Sequence, residues 1–191
     1  MKTLKNTFIL IALLSGLSIA AKAQDTTRRV KTESYGSGIL LSAGVEAGLP
    51  VGHLHDNYNW SFGGSLEGDF PILKNQLYAT LNAGYTNIHH NNDSRLKDIQ
   101  EIPVMAGMKY FPISRFYIQG QAGASFLTDH SDLNADKSTT FVYAPQIGTL
   151  INLGKSSYLD AGVKFEGNTK FYDNGKSNNF IGLRVAYAFS L

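Results

Sequence analysis

The sequence predicts an all-β chain, an eight-stranded antiparallel up-and-down β-barrel that crosses a membrane. Three observations predict it. The chain finishes on an unbroken two-residue alternation, 180–191, with Ile181, Leu183, Val185, Tyr187, Phe189 and Leu191 on one face. The other face holds Phe180, Gly182, Arg184, Ala186, Ala188 and Ser190, mostly small residues with one charge. Successive side chains of a strand point to opposite sides, so this pattern is a strand with one wholly apolar face. Seven earlier segments alternate in the same way, and the connections between the eight run long, short, long, short, long, short, long. Membrane barrels have that even strand number and that asymmetry of turns and loops.

The N-terminus supplies an address. Lys2 and Lys5 precede an apolar run over 8–21, and Ala21-Lys22-Ala23 is a small-x-small cleavage site before Gln24. Residues 1–23 therefore read as a cleaved secretory signal peptide. The apolar run is shorter than the ~18 residues that a spanning helix requires. Taking the leader's Lys2, Lys5 and Lys22 from the 17 Lys+Arg leaves the mature chain one short of its 15 Asp+Glu. Without a basic patch, nucleic acid is not expected as a partner. With 0 Cys there is no disulfide framework, thiolate chemistry or lipid-anchored cysteine.

Residues 24–38 are polar and aperiodic, and read as a flexible periplasmic lead-in to a barrel domain over 39–191. The first strand, 41–49, sets Leu41, Ala43, Val45, Ala47 and Leu49 against Ser42, Gly44, Glu46 and Gly48. After a polar loop over 50–59, the second, 60–70, sets Trp60, Phe62, Leu66 and Phe70 against Ser61, Ser65, Glu67 and Asp69. A short connection leads to the third, 77–85, with Leu77, Ala79, Leu81, Ala83 and Tyr85 on its apolar face. A long loop over 86–100 precedes the fourth, 101–111, where Ile102, Val104, Ala106, Met108 and Tyr110 oppose Glu101, Pro103, Met105 and Lys109. Residues 112–115 turn the chain into the fifth, 116–126, carrying Phe116, Ile118, Ala122, Ala124 and Phe126. The sixth, 141–153, follows a third long loop, and a tight turn over 154–157 leads to the seventh, 158–166. There Leu159, Ala161, Val163 and Phe165 oppose Asp160, Lys164 and Glu166. Residues 167–179 form the fourth long loop before the closing strand.

These strands are about the length that crosses a bilayer when tilted. No charge falls on any apolar face. A lipid-facing charge at mid-bilayer costs about 2–4 kcal/mol, so a membrane would enforce this segregation. Aromatics gather at strand ends in two belts. Trp60, Phe62, Tyr85, Phe126, Phe141, Tyr143 and Phe165 form one, and Phe70, Tyr110, Phe116, Tyr187 and Phe189 the other. A soluble barrel turns its apolar face inward and needs no such belts. Pro103 and Pro145 fall inside strands, where each removes a ladder hydrogen bond, so a bulge is expected at each.

The leader, the eight amphipathic strands, the Glu101-Ile102-Pro103 opening before Val-Met-Ala-Gly-Met-Lys-Tyr-Phe, and the ending Tyr187-Ala-Phe-Ser-Leu resemble one family. It is the small outer-membrane β-barrel proteins, porin-like or OmpX- or OmpA-barrel-like. The resemblance covers 39–191 and implies the fold, an outer-membrane address and recognition by the barrel-assembly machinery. Its members share architecture rather than chemistry.

Eight strands enclose a lumen that side chains nearly fill. The inward charges are Glu46, Glu67, Asp69, Glu101, Asp160 and Glu166 against Lys109, Lys164 and Arg184. Buried charges persist when paired, so Glu46, Glu67, Asp69, Lys109, Asp160, Lys164, Glu166 and Arg184 are expected to form an interior ion network. Within it, Arg184 should pair with Glu46 across the closing seam, with Glu67 one strand further on. The excess of acids calls for bound water or a carboxyl that keeps its proton.

All five histidines, His53, His55, His89, His90 and His130, fall in the expected external loops, near Asp56, Asp93, Asp129 and Asp132. Imidazoles and carboxylates from adjacent loops suit Zn²⁺ or Cu²⁺. No tight ligand spacing accompanies them, so no metal or other cofactor is assigned. A hydrolase would need Ser, His and a carboxylate on rigid strands, whereas Asp129-His130-Ser131-Asp132 are consecutive in a loop, so no catalytic residue is assigned either. The expected function is structural and interactive. A plugged, monomeric barrel in outer-membrane lipid displays four external loops, with Tyr58, Phe171 and Tyr172 available to an extracellular partner. The alternatives are a narrow channel for small solutes and, behind it, a lipid-modifying enzyme.

Overall fold

A computed structural model describes residues 38–52, 58–74, 76–90, 98–128, 139–169 and 178–191. The expected leader and most of the lead-in lie outside them. Eight strands follow in chain order: β1 Leu40–Val51, β2 Tyr58–Leu73, β3 Leu77–His90, β4 Ile99–Ile113, β5 Phe116–Leu127, β6 Thr139–Asn152, β7 Ser157–Asn168 and β8 Asn178–Ser190. Each pairs with its neighbours in sequence, and β1 pairs with β8, so the sheet closes into a barrel. The seam is antiparallel from Leu40↔Ser190 to Val51↔Asn179, and beyond it the Leu191 N–H donates to the Ile39 carbonyl at 2.9 Å. Closure leaves no strand edge exposed.

The alternation in sequence becomes an alternation of exposure. Val45, Leu66, Leu81, Met108, Ile118, Ile147, Val163 and Leu183 stand on the outer surface. Glu67, Asp69, Lys109, Asp160 and Arg184 on the same strands are almost wholly enclosed. The aromatics of both expected belts are exposed, except that Phe165 is half-buried against Tyr143, with ring centroids 6.1 Å apart.

Three expectations need correction. Pro103 and Pro145 sit in register without bulges. Pro103 pairs with Ser125 and Pro145 with Gly120. On the other side the ladder skips two pairs and resumes unshifted, at Ala83↔Val104 and Thr86↔Glu101 for β3–β4 and at Tyr143↔Gly167 and Gln146↔Lys164 for β6–β7. A missing N–H therefore costs ladder bonds without changing which face each residue takes. Register shifts fall instead near Pro71 and Pro112 at the ends of β2 and β4, and at the start of β2.

The third correction concerns strand length. β3 runs on through His90 and β4 begins at Ile99, so His89 and His90 belong to a strand and not to a loop. Tyr58 likewise opens β2. Beyond the lipid band a hairpin needs only its backbone ladder, and the apolar alternation stops before the strands do.

One close approach explains two glycines. A β-carbon at Gly148 or Gly162 would collide with the Tyr117 side chain, which lies across the inner wall of β6 and β7.

Candidate functional site

The enclosed interior holds the ordered chemistry of the molecule, in three tiers. At the end of the barrel where the short turns and both ends of the sheet lie, Leu40, Tyr78, Phe111, Tyr117, Leu150, Tyr158 and Ala188 form a buried apolar cluster. Tyr78 and Phe111 meet edge to face at 5.6 Å, and Phe111 and Tyr117 lie 5.8 Å apart. At the opposite end Ile88 and Phe180 pack together with Tyr58 and Ile99 against them. The charged groups lie between these two clusters.

Lys109 on β4 is 0% exposed, and its Nζ donates to Glu67 Oε1 at 2.7 Å and Asp69 Oδ2 at 2.6 Å, both from β2. It also stands 3.9 Å from Asp160 Oδ2 on β7 and 4.8 Å from the centre of the Tyr117 ring. Arg184 on β8 donates from Nη1 to Asp160 at 2.9 Å and from Nη2 to Ser42 at 2.9 Å. Its Nε donates to Ser65 at 3.1 Å and lies 3.5 Å from Glu46. Lys164 on β7 bridges Glu46 and Glu166, the latter at 2.8 Å. The eight groups thus form one continuous chain of contacts from Asp69 to Glu166.

Neutral donors complete it. Glu67 accepts from Gln119 at 2.8 Å, Gln121 at 3.1 Å and Asn82 at 3.2 Å. Ser65 donates to Glu46 at 2.6 Å, and the Tyr117 hydroxyl donates to Asp160 at 2.7 Å. Pairing and hydrogen bonding of this kind are what offset the cost of taking a charge out of water, although Asp69 Oδ1 stays buried without a partner among the described residues.

The expected pairing of Arg184 with Glu46 across the seam is present at 3.5 Å, and Asp160 adds a second, shorter ion pair at 2.9 Å. Glu67 is held by Lys109. Arg184 takes both its carboxylates from the neighbouring strands β1 and β7, whereas Lys109 on β4 reaches past its neighbours to β2 and β7. Glu101 stands apart from the chain. It is 0% exposed and accepts from Ser125 at 2.7 Å and from Asn168 at 3.0 and 3.2 Å, with no cation in contact among the described residues.

The histidine reading changes most. His53, His55 and His130 lie outside the described residues, as do Asp56, Asp93, Asp129 and Asp132 and the Asp129-His130-Ser131-Asp132 set. His89 and His90 converge instead on Asp98, each through Nδ1 at 2.8 Å, and the His90 N–H donates to it at 3.2 Å. The Trp60 ring lies 4.1 Å from that of His89. Partial burial raises the Asp98 pKa, but the hydrogen bonds from the His90 side chain and backbone and from His89 outweigh it and hold the carboxyl below its usual range. Among the described residues no group of three or more His, Cys, Asp or Glu is placed to hold a metal. Asp98 is not among the acids picked out beside the histidines in the sequence, because nothing in a sequence marks which carboxylate will fall beside a strand end.

The chain matches the family model described as outer membrane protein beta-barrel domain over residues 9–189. No curated protein matches it by sequence. Among solved structures it is similar to Neisserial surface protein A, at 16% identity and TM-score 0.59, covering 81% of this chain and 98% of that one. It is also similar to the attachment invasion locus protein of Yersinia pestis, at 16% identity and TM-score 0.50, covering 80% and 99%. At such identities the likeness concerns the fold alone.

Proposed function

The chain belongs to the outer membrane protein β-barrel domain family, and from that premise we propose that it is a plugged, non-conducting barrel that displays its long connections at the cell surface. The observation that carries this reading is the interior. A continuous chain of eight charged groups crosses the lumen, with an apolar cluster above and another below. A cavity beneath Phe180, beside Glu46, Lys164 and Glu166, has a volume of about 20 Å³, room for about one water. An ion would have to break pairs whose members are otherwise stranded in a low dielectric.

The role then lies outside the lumen. The ends of β1, β3, β5 and β7 lie at one end of the barrel with the starts of β2, β4, β6 and β8. The habit of membrane barrels of carrying their longer connections outside the cell supports reading 52–57, 91–98, 128–138 and 169–177 as external. A rigid barrel presenting loops suits adhesion or partner contact. After export by the cleaved leader, assembly machinery and outer-membrane lipid are the partners of the barrel itself, and an extracellular partner is the partner of the loops.

Single-channel recording in planar bilayers tests the plug: no conductance steps are expected, and reproducible steps would favour the narrow channel. Protease applied to intact cells tests the display, with cleavage expected in the four long connections and none in the turns at 74–76, 114–115 and 153–156.

A further inference from the structure

The turn end of the barrel carries an arrangement that the plug does not use. Each of the three short turns holds one basic side chain, Lys74, Arg115 and Lys155, and no acid. All three are exposed, and none takes part in the ion pairs found among the described residues. The acids nearest in sequence, Asp69 and Asp160, are turned into the lumen and are 1% exposed. The Leu150 N–H donates to the Arg115 carbonyl at 2.9 Å, so Arg115 is fixed against β6 where its side chain projects from the rim.

Directly beyond Arg115, the outer wall has a hollow of about 460 Å³ lined by Phe116, Ile118, Ile147, Ala161, Val163 and Leu183. A second, of about 490 Å³, is lined by Leu66, Gly68, Leu81, Ala83 and Phe189, on the strands that the Lys74 turn joins. Small residues floor both hollows between larger neighbours. The exposed aromatics Phe70, Tyr110 and Tyr187, with Phe116 and Phe189 at the edges of the hollows, mark the headgroup level on the turn side.

We propose that the basic turns and the apolar hollows form binding sites for anionic phospholipid of the inner leaflet, the phosphate held at Arg115, Lys74 and Lys155 and an acyl chain seated in the adjoining hollow. Charge complementarity selects the occupant, since the described side-chain charges facing the membrane surface here are all cations over an apolar wall. Each basic group near an anionic surface contributes on the order of a fivefold preference. The assignment to the inner leaflet rests on the family's placement of short turns in the periplasm.

The experiment is native mass spectrometry of the refolded protein released from mixed micelles. The micelles contain phosphatidylglycerol and phosphatidylethanolamine of the same acyl length, in separate arms with and without inorganic phosphate. The wild-type protein should retain phosphatidylglycerol at least fivefold over phosphatidylethanolamine. The K74Q/R115Q/K155Q variant, checked for heat-modifiable gel mobility, should fall to near parity. Equal retention by the wild type, or undiminished preference in the folded variant, overturns the proposal. Complete displacement by inorganic phosphate alone assigns the rim to a free anion and also overturns it. Labelling of a Lys155→Cys variant on intact cells by an impermeant reagent would place the turns outside and overturn the leaflet assignment. A conductance step in bilayers would count against the plug and leave this lipid preference as measured, so the two failures are separable.

Discussion

On β4, Ile102, Val104, Ala106, Met108 and Tyr110 face outward while Glu101, Met105 and Lys109 face inward. The outward set has only to be apolar, because acyl chains offer no specific partner. The inward set is held to particular atoms: Lys109 needs Glu67, Asp69 and Asp160 from two other strands. Fifteen residues of one strand therefore carry two kinds of constraint, one of class and one of identity. Substitutions on the two faces should fail for different reasons and by different amounts.

The largest effect is expected inside. Lys109→Met leaves Glu67 and Asp69 enclosed without a cation and should cost about 3–5 kcal/mol, read as a lowered urea midpoint of the barrel in lipid vesicles. Next comes a charge on the outer face. Leu81→Arg should cost about 2–4 kcal/mol in the same assay, while Leu81→Met, which keeps the class, should cost less than about 1.5 kcal/mol. If Leu81→Met were as costly as Leu81→Arg, the outer face would be a packed core and not a lipid surface.

Glu101 sharpens the comparison from within the lumen, where it is the carboxylate held by neutral donors. Asn168 keeps a buried Oδ1 with no partner, which the amide of a glutamine could engage. Glu101→Gln should therefore stabilise the barrel by up to about 1 kcal/mol, read as a raised urea midpoint, the opposite sign to Lys109→Met. The smallest effect is at the loop end. Asp98 has a folded pKa below its unfolded value of about 3.9. Its contribution is thus complete above that value and is lost as pH falls through the lowered folded pKa. Carbon-13 NMR of the Asp98 carboxyl should show the depressed midpoint, and titration at or above the ordinary aspartate range would remove the clasp with His89 and His90.

The same contrast governs what could be read from the residues alone. Strand number, closure and the outward faces were legible because hydrocarbon imposes a strict period of two, and that period is visible at Leu41–Leu49 or Leu159–Phe165 without any neighbour. The inward membership of the ion network was legible for the same reason. Of its pairing, Arg184 with Glu46 was legible from the closing seam, and the rest was not, since alternation reports in or out and never height along the axis. Asn168 reaching Glu101 and Lys109 approaching Asp160 join residues far apart in the chain. His89 and His90 escaped the reading because the apolar period ends with the lipid, while the β2–β3 ladder continues through Trp60↔His89 and Tyr58↔His90. The prolines misled for a related reason: the loss of an N–H is local, and the register on either side of Pro103 and Pro145 survives it.

The central claim is that the apolar faces meet acyl chains and the ionised groups meet one another. The chain has 0 Cys, so an introduced cysteine reports its own position. Single cysteines at Val45, Leu81 and Val163 in intact membranes should resist a water-soluble maleimide and be reached by a lipid-soluble one. Ready labelling of these positions by the water-soluble reagent would contradict the account.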